Sequence, residues 1–364
     1  MASEAAQGGA ESAAVMEITD LRRAIEWQAS HAERAGAPRT GRIVRAELAI
    51  LDTPTALAAR MNGWQGLSLE DALPLRVAGG LHHLYLSGQD RSLATVYSGE
   101  LTDQDAIDAL VARLAIAYDA QLAPWLDSPP QTNEAGRSAS IMAGLLWLST
   151  RLGPRFELNE IGASAGVNTM MERYAYDLGG VRVGPAASPM HIEPEWQGPP
   201  PPVAEVEIVA IRGCDVAPVD LSDPVEVLRL KAYVWADAQE RMARLDAAAR
   251  LAAERPPLLE RKDAGAFVHD MLAAPQEQGV TRVLYHSVMW QYLPQETRRA
   301  ITAEMERAGQ AATADRPLAW VRLETNRQTF RHELRIRYWP GGEEEQLLAE
   351  AHPHGAWVKW LEAR

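Results

Sequence analysis

The sequence predicts an α/β protein: a helical N-terminal lobe, then a mostly parallel wound sheet ending in an antiparallel C-terminal hairpin. Three observations predict it. Apolar residues recur at helical spacing through the first 150 or so of the 364 residues, where alternating or β-branched runs are few. From Phe156 onward, short strand-like runs alternate with helical stretches, as in a wound parallel sheet. Near the C-terminus, two further strand runs flank Pro340-Gly341-Gly342, whose glycines permit the positive φ of a hairpin turn.

Residues 1–16, rich in Ala, Ser, Gly and Glu, read as a disordered leader without the basic and apolar regions of a signal peptide. A helical lobe over 17–152 and a sheet domain over 153–364 follow. Thr19-Asp20 caps a helix to about Ala35, stopped by Gly36 and Pro38. Helical periodicity continues through Ala46–Met61, Leu69–Leu86, Asp103–Trp125 and Asn133–Leu152, the last closed by Gly153-Pro154. Strands are expected at Phe156–Ile161, Val206–Arg212, Leu258–Glu260, Arg282–His286 and Leu318–Glu324. Helices are expected between them at Gly166–Tyr176, Pro224–Ala253, Ala264–Ala274 and Pro294–Gly309. The hairpin strands Phe330–Trp339 and Glu345–Glu350 bring the expected sheet to seven strands. Gly184–Pro202, with seven prolines, reads as an ordered excursion.

Bulk properties exclude several classes. A net charge of -13 argues against generic binding to nucleic-acid phosphates. The single cysteine, Cys214, rules out an internal disulfide framework and a multi-cysteine zinc site. No run of about 18 apolar residues offers a membrane span. The expected setting is the cytoplasm and the expected partner a small-molecule substrate, with no metal; oligomeric state is not legible.

Chemistry concentrates at strand ends. Glu160-x-Gly162-x-Ser164-x-Gly166 ends the first strand with a carboxylate and a glycine turn, a corner suited to an anion or nucleotide. Asp215, after the second strand, is placed to grip ribose hydroxyls, with Asp177 as its competitor and a turn-forming role as its plain alternative. Asp263 opens a helix, either beside an adenine or as a simple N-cap. His286, Ser287, Trp290 and Gln291 follow the next strand; an imidazole there suits a general base, and the aromatic residues equally suit a packed corner. Asn133, Glu134 and Arg137 precede the first strand as candidate substrate contacts, with ordinary capping as the alternative. The pair His352 and His354 lacks the further ligands a metal would need.

In this order the motifs resemble the class I S-adenosylmethionine-dependent methyltransferases, a Rossmann-like fold. More closely, the chain resembles the bacterial family DUF2332. That likeness rests on Gln131-Thr-Asn-Glu134, Glu160-Ile-Gly-Ala-Ser-Ala-Gly-Val-Asn168, Arg212-Gly-Cys-Asp215, His286-Ser-Val-Met-Trp-Gln-Tyr292 and His352-Pro-His-Gly-Ala-Trp357. The resemblance implies S-adenosylmethionine as cofactor. Glu160, Gly162, Ser164 and Gly166 would hold its amino acid end, Asp215 its ribose and Asp263 its adenine. Ser164, standing where methyltransferases place a middle glycine, departs from the pattern.

Two other functions fit parts of the same sequence. Gly162-Ala-Ser164-Ala-Gly166 matches a hydrolase nucleophile elbow, with Asp263 or Glu324 and then His352 or His354 as triad partners. Against this, an α/β-hydrolase needs strands before its elbow, where this chain is helical. A non-catalytic binding protein on the same fold is the third.

Overall fold

A computed structural model describes residues 18–131 and 133–361; the expected leader lies outside them. These residues form a mixed α/β protein of two compact units. One comprises residues 18–131 with Asp223–Ala243, the other Asn133–Ser222 with the chain from Arg244 onward.

The first unit is helical. Leu21–Arg34 starts at Asp20, whose carboxylate accepts the Arg23 N–H, and stops before Gly36 at φ 80°. The expected helix Ala46–Met61 is two, Pro38–Ile50 and Ala56–Asn62. The break is built from side chains that take over backbone donors. Thr55 caps the second helix by accepting the Ala58 N–H, and Asp119 accepts those of Ala56 and Leu57. The run Asp103–Trp125 likewise divides into Gln104–Ala117, Asp119–Leu122 and a 3-10 turn at Ala123–Asp127. The predicted helix Pro224–Ala253 separates into Pro224–Ala232 and Gln239–Glu254. Asp237, in the gap, accepts the N–H groups of Arg39 and Thr40 and so caps Pro38–Ile50, whose own N-cap position is an alanine. That long-range cap explains why a segment so distant in sequence belongs to this unit.

The second unit is built on strands β1 (Arg155–Ile161), β2 (Ala175–Leu178), β3 (Val181–Val183), β4 (His191–Ile192), β5 (Glu195–Gln197), β6 (Glu207–Asp215), β7 (Leu259–Arg261), β8 (Thr281–Ser287), β9 (Leu318–Thr325), β10 (His332–Trp339), β11 (Gly342–Ala351) and β12 (Trp357–Trp360). The main sheet has the order β5-β12-β11-β10-β9-β8-β1-β6-β7. From β7 to β9 its strands are parallel, and β9 to β12 form an antiparallel meander. All seven expected strands are present. β12 and β5 extend the sheet to nine, so the predicted hairpin is one part of a longer edge. The chain steps from β1 outward through β6 to β7, then returns to the other side of β1 for β8 and β9.

Helices cover both faces. Leu334 and Ile336 meet Gly144 of helix Ser138–Leu152, whereas Trp339, an odd number of residues along the same strand, packs on Gly309 of helix Gln295–Ala311. Helix Ser138–Leu152, grouped with the helical lobe by periodicity, thus packs in the sheet unit. Burial of every residue from Ser138 to Leu148 is the reason: such a helix needs apolar cover all round.

The predicted helix Gly166–Tyr176 is absent. A 3-10 stretch at Asn168–Arg173 leads instead into β2. The Tyr174 hydroxyl donates to the Val167 carbonyl and that of Tyr176 lies 3.1 Å from the Met171 carbonyl, consuming acceptors that a growing α-helix would use.

One buried cation ties helix to sheet. Arg282, 3% exposed, forms a fork with Glu157 on the neighbouring strand and donates to the carbonyls of Met271, Ala274 and Pro275 at the end of helix Ala264–Ala273. Truncating Arg282 strands Glu157 and three carbonyls together. Arg282→Ala is expected to lose about 3 kcal/mol or more, measured as a lowered urea unfolding midpoint; a loss below about 1 kcal/mol would show that water replaces the fork.

Candidate functional site

The first strand ends in a turn that holds three left-handed residues, Gly162, Ser164 and Gly166, at φ 67°, 52° and 70°. Ser164 is not glycine, so its conformation costs energy that the surroundings must supply. They do so through hydrogen bonds. Asp215 accepts the Ser164 N–H at 2.9 Å, Asn133 accepts that of Val167 at 2.8 Å, and the Asn133 amide donates to the Ala163 carbonyl at 3.1 Å. Gly213 lets the turn lie close: a Cβ there would come within 2.8 Å of the Ala163 side chain.

Glu160 stands just before this turn, 1% exposed. Burial raises its pKa to about 8; Tyr285, Asn168 and the charge of Arg137 oppose that shift, and Asp215 adds to it. The Tyr285 hydroxyl is 3.2 Å from Glu160 Oε2 and 3.3 Å from the Asn168 carbonyl. Glu160 and Tyr285 are register partners on adjacent parallel strands, which places both side chains on one face. The Asn168 amide lies beside Glu160, yet neither of its polar atoms makes a well-aligned hydrogen bond, and the buried Ser164 hydroxyl also has none.

Arg137 belongs to the same neighbourhood. It is 6% exposed, donates to the Pro353 carbonyl at 2.8 Å, and its charge is felt at both Glu160 and His332. His332 is pushed down to about 4, by burial first and then by Arg137. Gly136 admits the loop His352–Gly355: a Cβ at Gly136 would lie 2.6 Å from the His354 carbonyl. Glu134 accepts from the Gly136 N–H and from Arg244. Residues 133–137, the glycine turn and the His352–Gly355 loop therefore meet around one buried carboxyl. None of these stretches is adjacent to another in sequence.

His286 lies elsewhere. It is one residue beyond Tyr285 and so faces the opposite side of the sheet from Glu160. Its Nδ1 is 2.6 Å from Glu324 Oε1, and Trp320 Nε1 donates to its Nε2 at 3.1 Å. The tryptophan N–H requires a lone pair on Nε2, so the ring proton sits on Nδ1 and points to Glu324. With Trp290 stacked on the ring at 4.9 Å, His286 has no lone pair directed outward to take a substrate proton. Its role here is to join β8 to β9. Glu324 also accepts from the N–H groups of Met289 and Trp290, beside Val288 at φ 53°, a strained position for a β-branched residue. Ser287 is buried at the end of β8, and Gln291 is part of the 3-10 turn Trp290–Tyr292.

The nucleoside-binding roles suggested by sequence meet competing local roles. Both Asp215 oxygens accept backbone N–H groups, from Ser164 and Ala217. Asp263 caps its helix through Gly265 and Ala266. Asp177 sits in the β2–β3 hairpin, bonded to Gly180 and Arg182. Sequence reasoning missed Tyr285, Asn168 and Met289. Strand register is what identifies Tyr285, and no local pattern encodes it. Among the described residues no group of three or more metal-ligating side chains is assembled, and no helix is long and apolar enough to cross a membrane.

Fold and site together define an α/β protein whose polar centre is a buried acid at the carboxyl end of a parallel strand. The chain belongs to the family DUF2332, described as an uncharacterized protein conserved in bacteria, which matches residues 22–360. No curated protein and no solved structure matches it.

The raised pKa of Glu160 has a consequence for stability. Between the ordinary carboxyl value of 4.5 and about 8, the folded protein keeps a proton that the unfolded chain has released. Stability from this group therefore falls as pH rises through that window. Urea unfolding at about pH 6 and about pH 8 should show the wild type losing on the order of 2 kcal/mol more than Glu160→Gln. Equal losses would mean that the folded protein ionises Glu160 as readily as the unfolded chain does.

Proposed function

We propose that this protein transfers a methyl group from S-adenosylmethionine to a small molecule, on a Rossmann-like sheet. One observation carries the reading: the strand order of the parallel half. Numbered along the chain, its strands stand 3-2-1-4-5, and the winding reverses between β1 and β8. In open α/β sheets ligands bind in the crevice beyond the carboxyl ends of the strands at such a reversal. Glu160, the glycine turn and Ser287 stand at that point.

The turn's chemistry is compatible with the cofactor. The buried Ser164 hydroxyl and the Asn168 amide supply polar atoms that lack well-formed internal bonds. Glu160 lies beside them, and Asp215 and Asp263 end the neighbouring strands. These residues would hold the cofactor, whose sulfonium, when bound, supplies an already activated methyl group. The protein's part is then positioning: Asn133 braces the turn, and Arg137 and Glu134 beside it would join Asn133 in orienting the acceptor. Glu160, poised near neutral pH, is the group suited to hold or take a proton. Met289 is the obstacle, since its side chain lies where a Cβ on Gly162 would go, at 2.8 Å. Entry of a ligand requires that unbranched side chain to swing away.

Ser164 at φ 52° also favours, in one respect, the nucleophile elbow of a serine hydrolase. Its hydroxyl is buried and receives no hydrogen bond from any imidazole, which weighs against an activated nucleophile. A non-catalytic binding protein would retain the same closed turn.

Calorimetric titration with S-adenosylhomocysteine distinguishes these readings. Wild type is expected to bind in the micromolar range, Glu160→Gln at least tenfold more weakly and Met289→Ala as well or better. No heat with either wild type or Met289→Ala would overturn the proposal, and labelling of Ser164 by a fluorophosphonate would replace it with the hydrolase.

A further inference from the structure

The helical unit contains a cleft unrelated to the glycine turn. Its enclosed part measures about 20 Å³ and opens into a mouth that brings the empty space to about 300 Å³, and its wall includes Thr40, His82, Tyr97, Tyr233 and Trp235. The enclosed part has room for a group about the size of a water molecule, such as an ammonium head, with any larger substituent left in the open mouth. Three side chains, two in its wall and one behind it, lack the well-formed partners that burial normally demands. The Tyr97 and Tyr233 hydroxyls, in the wall, make no well-aligned hydrogen bond, and neither do the two carboxyl oxygens of Glu47, a fully buried residue with the Ala78 backbone amide as its one nearby donor.

Glu47 is one helical turn beyond the wall residue Ile43, on the same face of Pro38–Ile50, and beside the backbone amide of Ala78, another wall residue. Tyr97 feels its charge. The cations beside the wall residue Tyr233 are engaged elsewhere. Arg76 donates to the carbonyls of Asp71 and Leu126, and Arg229 donates to Ser128 while lying over the Trp125 ring. His82 directs Nδ1 at the Ala232 carbonyl, and burial holds its pKa at about 4, so at neutral pH it adds no competing positive charge.

A carboxyl without a counter-ion and a wall of aromatic rings suit one ligand chemistry. We propose that this cleft binds a small organic ammonium ion, with Glu47 as counter-charge, Tyr97 as hydrogen-bond partner and the rings of Tyr97, Tyr233 and Trp235 as its walls. An ammonium ion would let Glu47 ionise in place and would give Glu47 and Tyr97 a partner at once. A trapped water is the competing occupant; it would leave Glu47 protonated and distinguish poorly between charged and neutral solutes.

The test is calorimetric titration of the full chain with methylammonium and trimethylammonium chlorides, using sodium chloride and acetamide as controls. Saturable binding of an ammonium ion is expected, weakened at least tenfold in Glu47→Gln and several-fold in Tyr97→Phe. Glu47→Gln should stay folded, because an amide at this buried position carries no charge to desolvate; its circular dichroism and unfolding midpoint check this. Absence of saturable ammonium binding to the wild type overturns the proposal, as does acetamide binding equally well. Unchanged affinity in both variants would also overturn it.

Discussion

The turn after β1 holds the sheet unit's polar centre together. Its left-handed backbone is held because distant side chains take donors of the turn: Asp215 from the neighbouring strand takes that of Ser164, and Asn133 from the segment before helix Ser138–Leu152 takes that of Val167. That pinning sets where Glu160 ends, how deeply it is buried and which groups it meets. Because the backbone polar groups are satisfied by side chains, the turn can be compact without a long helix behind it. The same bonds bring residues 133–137 against the turn, and Gly136 then sets the place of the His352–Gly355 loop.

Alternation along a strand divides the chemistry between two faces. Tyr285 joins Glu160 on one side, while His286 turns to the other and is secured by Glu324, Trp320 and Trp290. An imidazole after a parallel strand looks like a general base when the sequence is read alone. In place it is a neutral, doubly bonded strut. Glu160 has the opposite character, with a pKa brought near neutrality by burial, and such environments are where proton-handling groups are found.

Several elements were legible because local physics dominates them. Asp20 and Asp263 cap helices where the sequence places them, and the apolar runs of β1 and β8 are buried as central parallel strands should be. The misread elements share a cause. The helix expected after Gly166 loses its carbonyl acceptors to Tyr174 and Tyr176, and the helix expected over Pro224–Ala253 breaks where Asp237 leaves to cap another helix. Each is a tertiary hydrogen bond outcompeting a local one, and periodicity carries no trace of it.

By itself the sequence determined the fold class, the parallel strands with their antiparallel close, the family and the motifs that meet at the site, since these follow from apolar spacing and short-range turn chemistry. Only the tertiary structure decided which of those motifs face one another. Register pairs Glu160 with Tyr285, the pleat sends His286 to the opposite face, and packing buries Glu47 without a counter-ion. The physical reason is that register, face and burial depend on contacts between residues a hundred or more positions apart, or on separate helices, which no local pattern of side chains contains.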